Sequence, residues 1–446
     1  MMRAPLKRAV AAAALACVAA SAWSLDLSEA YRLAYERDAT VRGSRAASEA
    51  GREKLPQARA QLLPNISASA SRFRNDLNST QPNFLGQQSS SESFYYSRNE
   101  TIQLRQPIYR PALIAGYRQA EAQVAQANAS QEKDEQLLVM RVTQAYFEAL
   151  QAEEQLHLID VTKADYAGQV DAATKAFKGG IGTRTDIEDA QARYDMAVAQ
   201  ELEAKQGIEL TRRKLQVIIA QPPGKLAQLD LAKLALVNPM PNDIEYWTSL
   251  SEDTSPEMMI VKAQVAASKE DVEKARAGHK PTLDAVAQAT RSSSENVTNV
   301  NSRYIQKEIG LQLSVPLFNG GYVNSQVRES LANLEQAEAK LEELRRDLGV
   351  RVHTEFQGIA DGVEKVKALE QAVHSAEQLV NSSRKSFEAG VRTRIDILNA
   401  EQQAGQARRD LSQARLAYML SRIRLKALTG GLKAENVDEM NAWLQH

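Results

Sequence analysis

The chain has 446 residues, with 55 basic and 56 acidic side chains and a formal net charge of −1. This balance provides no basic field that would attract nucleic acid, so no nucleic-acid partner is expected. The one cysteine, Cys17, lies near the start, so the rest of the chain can form neither a disulfide nor a thiolate metal site.

The start of the chain has the composition of a secretory signal peptide. Three basic residues precede an apolar stretch, Ala9–Ala20, which is too short to span a bilayer. We expect cleavage after Ser24, because Leu25 begins an amphipathic pattern, and cleavage after Ala22 is the alternative. A faint lipoprotein-type pattern around Cys17 makes lipidation a less favoured alternative. No later apolar run is long enough for a transmembrane helix, so a membrane crossing would require closed β-structure.

The remaining sequence is duplicated. A sixteen-residue pattern beginning at Lys175 recurs from Lys385 with eight identical residues. Two shorter patterns, beginning at Ala58 and Ile102, recur in the same order in the second half, which predicts an internal repeat. The predicted boundaries are 1–24 for the signal peptide, 25–220 for the first repeat, 221–254 for a linker, 255–430 for the second repeat and 431–446 for a C-terminal segment.

Each repeat is predicted to contain a helix, a β-hairpin and a long helical hairpin. Proline would break a helix interior, and none occurs from Ala112 to Gln221 or after Pro316. In the second of these stretches, apolar residues from Val352 to Val380 recur about every 3.5 residues, the coiled-coil period. The first repeat is predicted as a helix over 25–63, strands over 66–74 and 101–106, and helices over 112–178 and 186–220 that meet at a tip near 180. The second is predicted as strands over 282–290 and 305–315 and a long helix over 323–388 with a tip near 390.

The segment between the first two strands, residues 75–99, is rich in Asn, Ser and Gln and is predicted to be a solvated loop. Aromatic residues at the strand ends leave two interpretations open. A membrane barrel places aromatics at its interfaces, whereas a soluble β-subdomain uses them in its core. Four strands are too few to close a barrel, so the chain must oligomerise if these strands enter lipid, and three copies would supply twelve.

Three segments carry a resemblance to a known family. Residues 278–284 (GHKPTLD), 316–327 (PLFNGGYVNSQV) and 390–400 (GVRTRIDILNA) are similar to the start of the third strand, the exit from the fourth strand and the periplasmic tip of the TolC outer-membrane efflux and secretion family. The resemblance covers nearly the whole chain after the signal. It implies a mainly α fold with a small β part. The expected homotrimer places a 12-stranded β-barrel on an α-helical tunnel, with the linker and the C-terminal segment in an equatorial belt.

The resemblance also implies a function and partners. It predicts an exit duct in the cell outer membrane, in contact with outer-membrane lipid, whose tunnel projects into the periplasm. The duct would serve type I protein secretion, multidrug efflux or both. It would open at its periplasmic tip when docked to a periplasmic adaptor protein and an inner-membrane pump of the ABC, RND or MFS class.

The tips of the helical hairpins contain the candidate functional residues. A glycine after each long helix is predicted to take the left-handed turn conformation. A threonine three residues before an aspartate then predicts a capping box that starts each return helix. These turn and cap positions are Gly180 and Thr183 in the first hairpin and Gly390 and Thr393 in the second.

A gate is implied by the resemblance. Arg392 matches the gate arginine of the family, and Asp186 and Thr185 match its partners on the other hairpin. An arginine–carboxylate pair is a plausible latch at a constriction. Phe387 stands where relatives in the family have a tyrosine hydroxyl, so one latch hydrogen bond is expected to be missing.

Two further features of the tip follow from the resemblance. Asp396 would form a ring of three carboxylates facing the lumen, a constriction that attracts cations. Asn399 stands where a second acidic ring would be, so a weaker cation block is expected. Arg184 and Arg394 occupy equivalent places in the two repeats and are candidates for adaptor docking, with a solvated surface as the equal alternative.

Two other functional classes are alternatives. A periplasmic coiled-coil adaptor or scaffold also carries a signal peptide and a helical hairpin, but usually one hairpin flanked by β-rich domains. An enzyme is not indicated, since the five histidines lack metal-ligand spacing and neither a phosphate loop nor a nucleophile elbow occurs. We therefore expect no catalytic residue, no metal site and no cofactor.

Overall fold

The computed structural model describes residues 24–82, 84–230, 233–295 and 302–445. It is mainly helical, with one antiparallel sheet in the order β1-β2-β3-β4, which agrees with the predicted fold class. The helices are α1 Leu27–Arg37, α2 Ala39–Arg52, α3 Lys54–Ala60, α4 Pro111–Lys178, α5 Arg184–Ile219, α6 Ile244–Thr254, α7 Pro256–Arg276, α8 Tyr322–Glu388, α9 Arg394–Leu428 and α10 Ala434–Asn441. The strands are β1 Asn65–Pro82, β2 Gln88–Tyr109, β3 Thr282–Ser294 and β4 Ser302–Ser314.

The chain forms two compact units. The hairpin unit contains residues 24–45, 131–258 and 345–445, and the sheet unit contains residues 46–130 and 259–344. The predicted signal peptide falls, apart from Ser24, on residues outside the described ranges. Within the described ranges, no helix combines the length and the apolar character needed to cross a membrane.

The long helices α4 and α8 lie where the absence of proline predicts them. The single helix predicted over 25–63 is wrong, because the chain there forms α1, α2 and α3 instead. Asp38 separates the first two helices: its backbone is extended, and its carboxylate accepts a hydrogen bond from the backbone N–H of Val41 at 3.0 Å. A side chain that caps the next helix in this way competes with helix continuation.

The solvated loop predicted over 75–99 is also wrong for most of its length. Strands β1 and β2 pair in unbroken register from Asn65↔Arg105 to Pro82↔Gln88. The polar residues that suggested a loop are exposed strand residues, because the backbone ladder, and not their side chains, forms the pairing. In the second hairpin, β3 extends to Ser294, and residues 296–301 of the predicted polar connection lie outside the described residues.

The two faces of the sheet differ chemically near the end of β1 at Asn65, whereas further along the strands the apolar face also carries charged residues such as Arg72, Arg98 and Arg303. On the apolar face, Ile66, Leu104, Ala287 and Ile309 form one cross-strand row, and the Ile309 side chain is 90% exposed. On the polar face, the neighbouring rows are formed mainly by Ser, Thr, Asn and Gln side chains. An exposed row of large aliphatic side chains on one face requires a partner other than water.

The heptad stripe of α8 forms the core of the hairpin unit. Five of its larger apolar residues are buried, namely Val352, Phe356, Ile359, Val363 and Val366, and Ala376 is buried as well. Val366 packs against Leu411 and Ala414 of α9. Each such side chain contributes about 1.5–3 kcal/mol on burial, so this seam stabilises the second helical hairpin.

Two buried tyrosines fix the segment between the repeats to the long helices. The Tyr146 hydroxyl donates to the Leu25 carbonyl at 2.8 Å and accepts from the Ala227 N–H at 3.1 Å. The Tyr418 hydroxyl accepts from the Val237 N–H at 2.9 Å. The described residues of this segment before α6 form neither a helix nor a strand.

Candidate functional site: the tips of the helical hairpins

The first helical hairpin reverses direction at Gly180, which has a φ of 76°. The Ile181 N–H donates to the Ala176 carbonyl at 3.1 Å, and the Gly180 N–H donates to the Phe177 carbonyl at 3.0 Å. This pairing satisfies the last carbonyls of α4 and is the Schellman type of helix end.

The second hairpin repeats this turn at Gly390, which has a φ of 73°. The Val391 N–H donates to the Ser386 carbonyl at 2.9 Å, and the Gly390 N–H donates to the Phe387 carbonyl at 2.9 Å. The two turns therefore have the same backbone conformation, with glycine at the one position that needs a left-handed φ.

Both return helices begin with a complete capping box. The Asp186 carboxylate accepts from the Thr183 N–H at 2.9 Å, and the Thr183 hydroxyl accepts from the Asp186 N–H at 3.2 Å. The corresponding distances for Asp396 and Thr393 are 2.8 Å and 3.4 Å. The short aspartate side chain thus forms a box in which a longer acid is usual.

The capping bonds stabilise the charged forms of both aspartates. The pKa of Asp186 is lowered, chiefly by the backbone N–H of Thr183, with further contributions from the Thr183 hydroxyl and the positive charge of Arg394. The pKa of Asp396 is lowered by the Thr393 hydroxyl and backbone N–H and by the charge of Arg392. Both groups are therefore anionic at neutral pH.

Arg392 stays within its own hairpin. Its guanidinium donates to the buried Ser383 hydroxyl at 2.9 Å, and the side chain is otherwise exposed. The structure shows no bond from Arg392 to Asp186 or Thr185 among the described residues of this single chain. The Asp186 carboxylate is occupied by its cap, and Thr185 is exposed.

Arg394 joins the two hairpins. Its guanidinium lies 5.3 Å from the centre of the Phe387 ring, and it donates a long hydrogen bond of 3.4 Å to the Gln169 carbonyl on α4. A cation over an aromatic face is attracted by the ring. Phe387 thus supports this arginine, and Arg394 is half-buried rather than freely presented on the surface.

Glu401 is a site residue that the sequence patterns did not indicate. Its side chain is 9% exposed and accepts from Arg384 of α8 at 2.7 Å and from the Gln169 side chain of α4. The pKa of Arg384 is raised, chiefly by this hydrogen bond. No local sequence pattern predicts these contacts, because the three residues lie on three helices and approach one another only after folding.

Asn399 also bridges the hairpins. Its side-chain carbonyl accepts from Arg193 of α5 at 3.0 Å, and the same guanidinium donates to Gln402 at 3.1 Å. Arg184, by contrast, is exposed and pairs at 3.0 Å with Glu188 on its own helix. Within the described ranges, no cluster of three or more His, Cys, Asp or Glu residues is arranged to hold a metal ion.

The fold and sequence were compared with known proteins. The sequence model of a family described as "Outer membrane efflux protein" matches residues 30–221 and 247–431. The chain is 32% identical over 421 residues to the alkaline protease secretion protein AprF of Pseudomonas aeruginosa, covering 94% of this chain and 87% of that protein. It is 30% identical over 431 residues to the proteases secretion protein PrtF of Dickeya chrysanthemi, covering 95% and 92%. Its fold is similar to that of the outer membrane protein VceC of Vibrio cholerae, with a TM-score of 0.76, 18% identity and coverage of 91% and 97%.

Proposed function

The chain belongs to the outer membrane efflux protein family, and from this premise we propose that three copies form the exit duct of a type I protein secretion system. The family and its relatives support an outer-membrane channel. The adaptor and scaffold alternative does not fit a family match that covers both repeats.

We infer the class of cargo from the similarity of this chain to AprF and PrtF. Both are named as protease secretion proteins, and each aligns with more than nine-tenths of this chain. Protein is therefore the proposed cargo. Drug efflux is the second candidate, because the description of the matching family names efflux.

The sheet supports assembly from several copies. In the described residues, β1 and β4 are each paired on one side only, so both edges of the four-stranded sheet are open. Open edges pair readily with further strands. We propose that the edges of three copies join into a closed sheet of twelve strands whose apolar face contacts outer-membrane lipid.

The hairpin tips are proposed to control the periplasmic entrance. Arg392 is exposed and donates to Ser383 of its own hairpin, so a pairing with Asp186 or Thr185 would join neighbouring copies. Replacing Arg392 by alanine should then raise the conductance of the protein in planar bilayers. Arg184→Ala is the matched control, because that guanidinium pairs with Glu188 of its own helix, α5. Equal conductance of both variants and the wild type would remove Arg392 from the gate.

The proposed partners are a periplasmic adaptor and an inner-membrane pump of the ABC class. Arg184 is the better candidate for adaptor docking, since it is exposed whereas Arg394 is occupied between the hairpins. Asp396 is the proposed lumen carboxylate. Asn399 is neutral and accepts from Arg193, so it contributes no second ring of negative charge.

Complementation of a bacterial strain tests the function. The strain lacks its own TolC-type duct and expresses an ABC exporter, its adaptor and a secreted protease. Extracellular protease activity and export of a lipophilic dye are measured with and without this chain. Restored protease secretion is the expected result. Restored dye export without secretion would assign efflux instead, and restoration of neither, with the protein present in the outer membrane, would contradict the proposal.

A further inference from the structure

A buried carboxylate holds two arginines at the end of the sheet that adjoins the helices. Asp284, at the start of β3, has a side chain only 3% exposed. Arg105 of β2 donates to it at 3.0 and 2.6 Å, and Arg110, which precedes α4, donates at 2.7 and 2.5 Å. Four charge-assisted bonds to one carboxylate fix both guanidinium groups in place.

The cluster has more donors and more positive charge than the carboxylate uses. Two guanidinium groups face one carboxylate, which leaves a net charge of one positive unit. Each arginine binds Asp284 through Nε and Nη2, and within the described ranges no hydrogen bond is formed by Nη1 of either residue.

The surplus charge faces a cavity. A cavity of about 360 Å³ in the sheet unit is lined by Ala60, Gln61, Leu63, Asn65, Arg105, Pro107, Arg110 and Leu113. The two arginines are the only ionisable residues of this lining. The cavity therefore presents cationic donors together with two neutral polar side chains, and no acidic group competes for an incoming anion there.

Arg105 is exceptional on its face of the sheet. Through the strand register it shares the polar face with Asn65, Gln103 and Gln288. Among the described strand residues of this face, Arg105 is the only cation, and Asp284 and Glu308 are the only acids. Arg105 is thus the one cation that the described strands place on this face, at the end where the strands meet the helices.

We propose that Arg105 and Arg110 form an anion-binding collar inside the duct, which takes carboxylate groups on acidic side chains of the exported polypeptide. The collar rests on the proposed function, because the polar face lines the duct only if the apolar face contacts lipid. Guanidinium groups bind carboxylates in a planar, bidentate manner. Asp284 offsets half of the charge, so binding is weak enough for cargo to leave, as conduction requires.

The test measures binding of a fluorescent polyglutamate peptide to the purified, detergent-solubilised protein by anisotropy. Arg105→Gln removes the surplus charge but keeps the Arg110–Asp284 pair, and it should weaken binding about tenfold. Arg118→Gln is the matched control, since Arg118 is exposed on α4 and does not line the cavity. Asp284→Asn, which leaves both arginines uncompensated, should strengthen binding. Native mass spectrometry confirms that each variant keeps the oligomeric state of the wild type.

Competition by inorganic phosphate distinguishes a cargo site from a site for small oxyanions. Displacement of the peptide at high millimolar phosphate supports a cargo site, whereas displacement at low micromolar phosphate overturns it in favour of a small-anion site. Equal peptide binding by Arg105→Gln and Arg118→Gln also overturns the collar.

In bilayers, Arg105→Gln should shift the reversal potential towards cation selectivity. Absence of any wild-type channel current would count against the proposed duct itself, whereas current with an unshifted reversal potential counts against the collar alone.

Discussion

Gly180 takes a left-handed backbone where α4 ends, and a Cβ added there would meet no atom within 4 Å. The cost of alanine is therefore conformational rather than steric, about 1 kcal/mol. We predict that Gly180→Ala increases hydrogen exchange of the tip amides, measured by mass spectrometry of peptides that span the turn.

Gly168 is the matched control for that substitution. It lies inside α4, and the space around its added Cβ is also empty. Alanine is the better helix former, so Gly168→Ala should stabilise α4 locally by about 0.5–1 kcal/mol and thereby slow hydrogen exchange there. Opposite signs for the two substitutions are the expected outcome. Decreased or unchanged exchange in Gly180→Ala would show that the turn does not need a left-handed residue.

The two capping aspartates make the tips sensitive to acid. The pKa values of both aspartates are lowered in the folded protein. The stability that their charged forms give to the helix starts is therefore present above the unfolded pKa, near 4, and is lost as pH falls through the folded pKa. Exchange at the first turns of α5 and α9, corrected for intrinsic rates, should rise between about pH 5 and pH 2. Asp186→Asn should abolish the pH dependence at the first tip only. An unchanged profile in that variant would exclude the cap as its source.

At the scale of elements, the contact between the two hairpins depends on Glu401, which binds Arg384 and Gln169. Glu401→Gln removes a nearly buried charge from this contact and should weaken it by about 1–2 kcal/mol. Spin labels at Lys178→Cys and Glu388→Cys, introduced into a chain whose only native cysteine is Cys17, report the distance between the helix ends. A broader distance distribution is expected.

Glu188→Gln is the control for this prediction. Glu188 pairs with Arg184 on the same helix, and both side chains are largely exposed. Such a pair contributes less than about 0.5 kcal/mol, so the distance distribution should match that of the unmodified protein. Equal broadening in the two variants would assign the effect to loss of charge anywhere at the tip.

The elements that the sequence predicted best are those set by local rules. The absence of proline predicted α4 and α8, and the heptad stripe predicted the buried seam. Thr183 and Thr393, each three residues before an aspartate, predicted both helix caps. Each of these signals lies within a few turns of chain. The helix break at Asp38 was missed because a capping aspartate and an ordinary surface aspartate look alike without their partners.

The long polar strands and the contacts across the tip were beyond local rules. Residues 75–82 and 88–99 have the composition of a loop, and their extended pairing follows from the ladder begun by neighbouring residues. Glu401 and Asn399 acquire partners more than 200 positions away, on the other hairpin. Arg394, a candidate for adaptor docking, contacts Phe387 and the Gln169 backbone, and the latter contact also joins distant parts of the chain.

At the scale of the whole molecule, the duplicated unit has surfaces that a single copy does not cover. Its described sheet has two open edges and an exposed row that includes Ile66 and Ile309. Unpaired backbone groups cannot face lipid, so the edges must find other strands if the apolar face contacts a membrane. In the proposed trimer, association of identical copies would satisfy the edges and enclose the polar face, including the proposed collar residues Arg105 and Arg110.

Electron cryomicroscopy of the protein extracted from outer membranes tests this claim most directly. The account predicts three copies around one axis, with β1 of each copy hydrogen-bonded to β4 of the next and the apolar face in the lipid or detergent belt. A solitary chain whose sheet is covered by its own helices, or an assembly in which β1 and β4 remain unpaired, would contradict it.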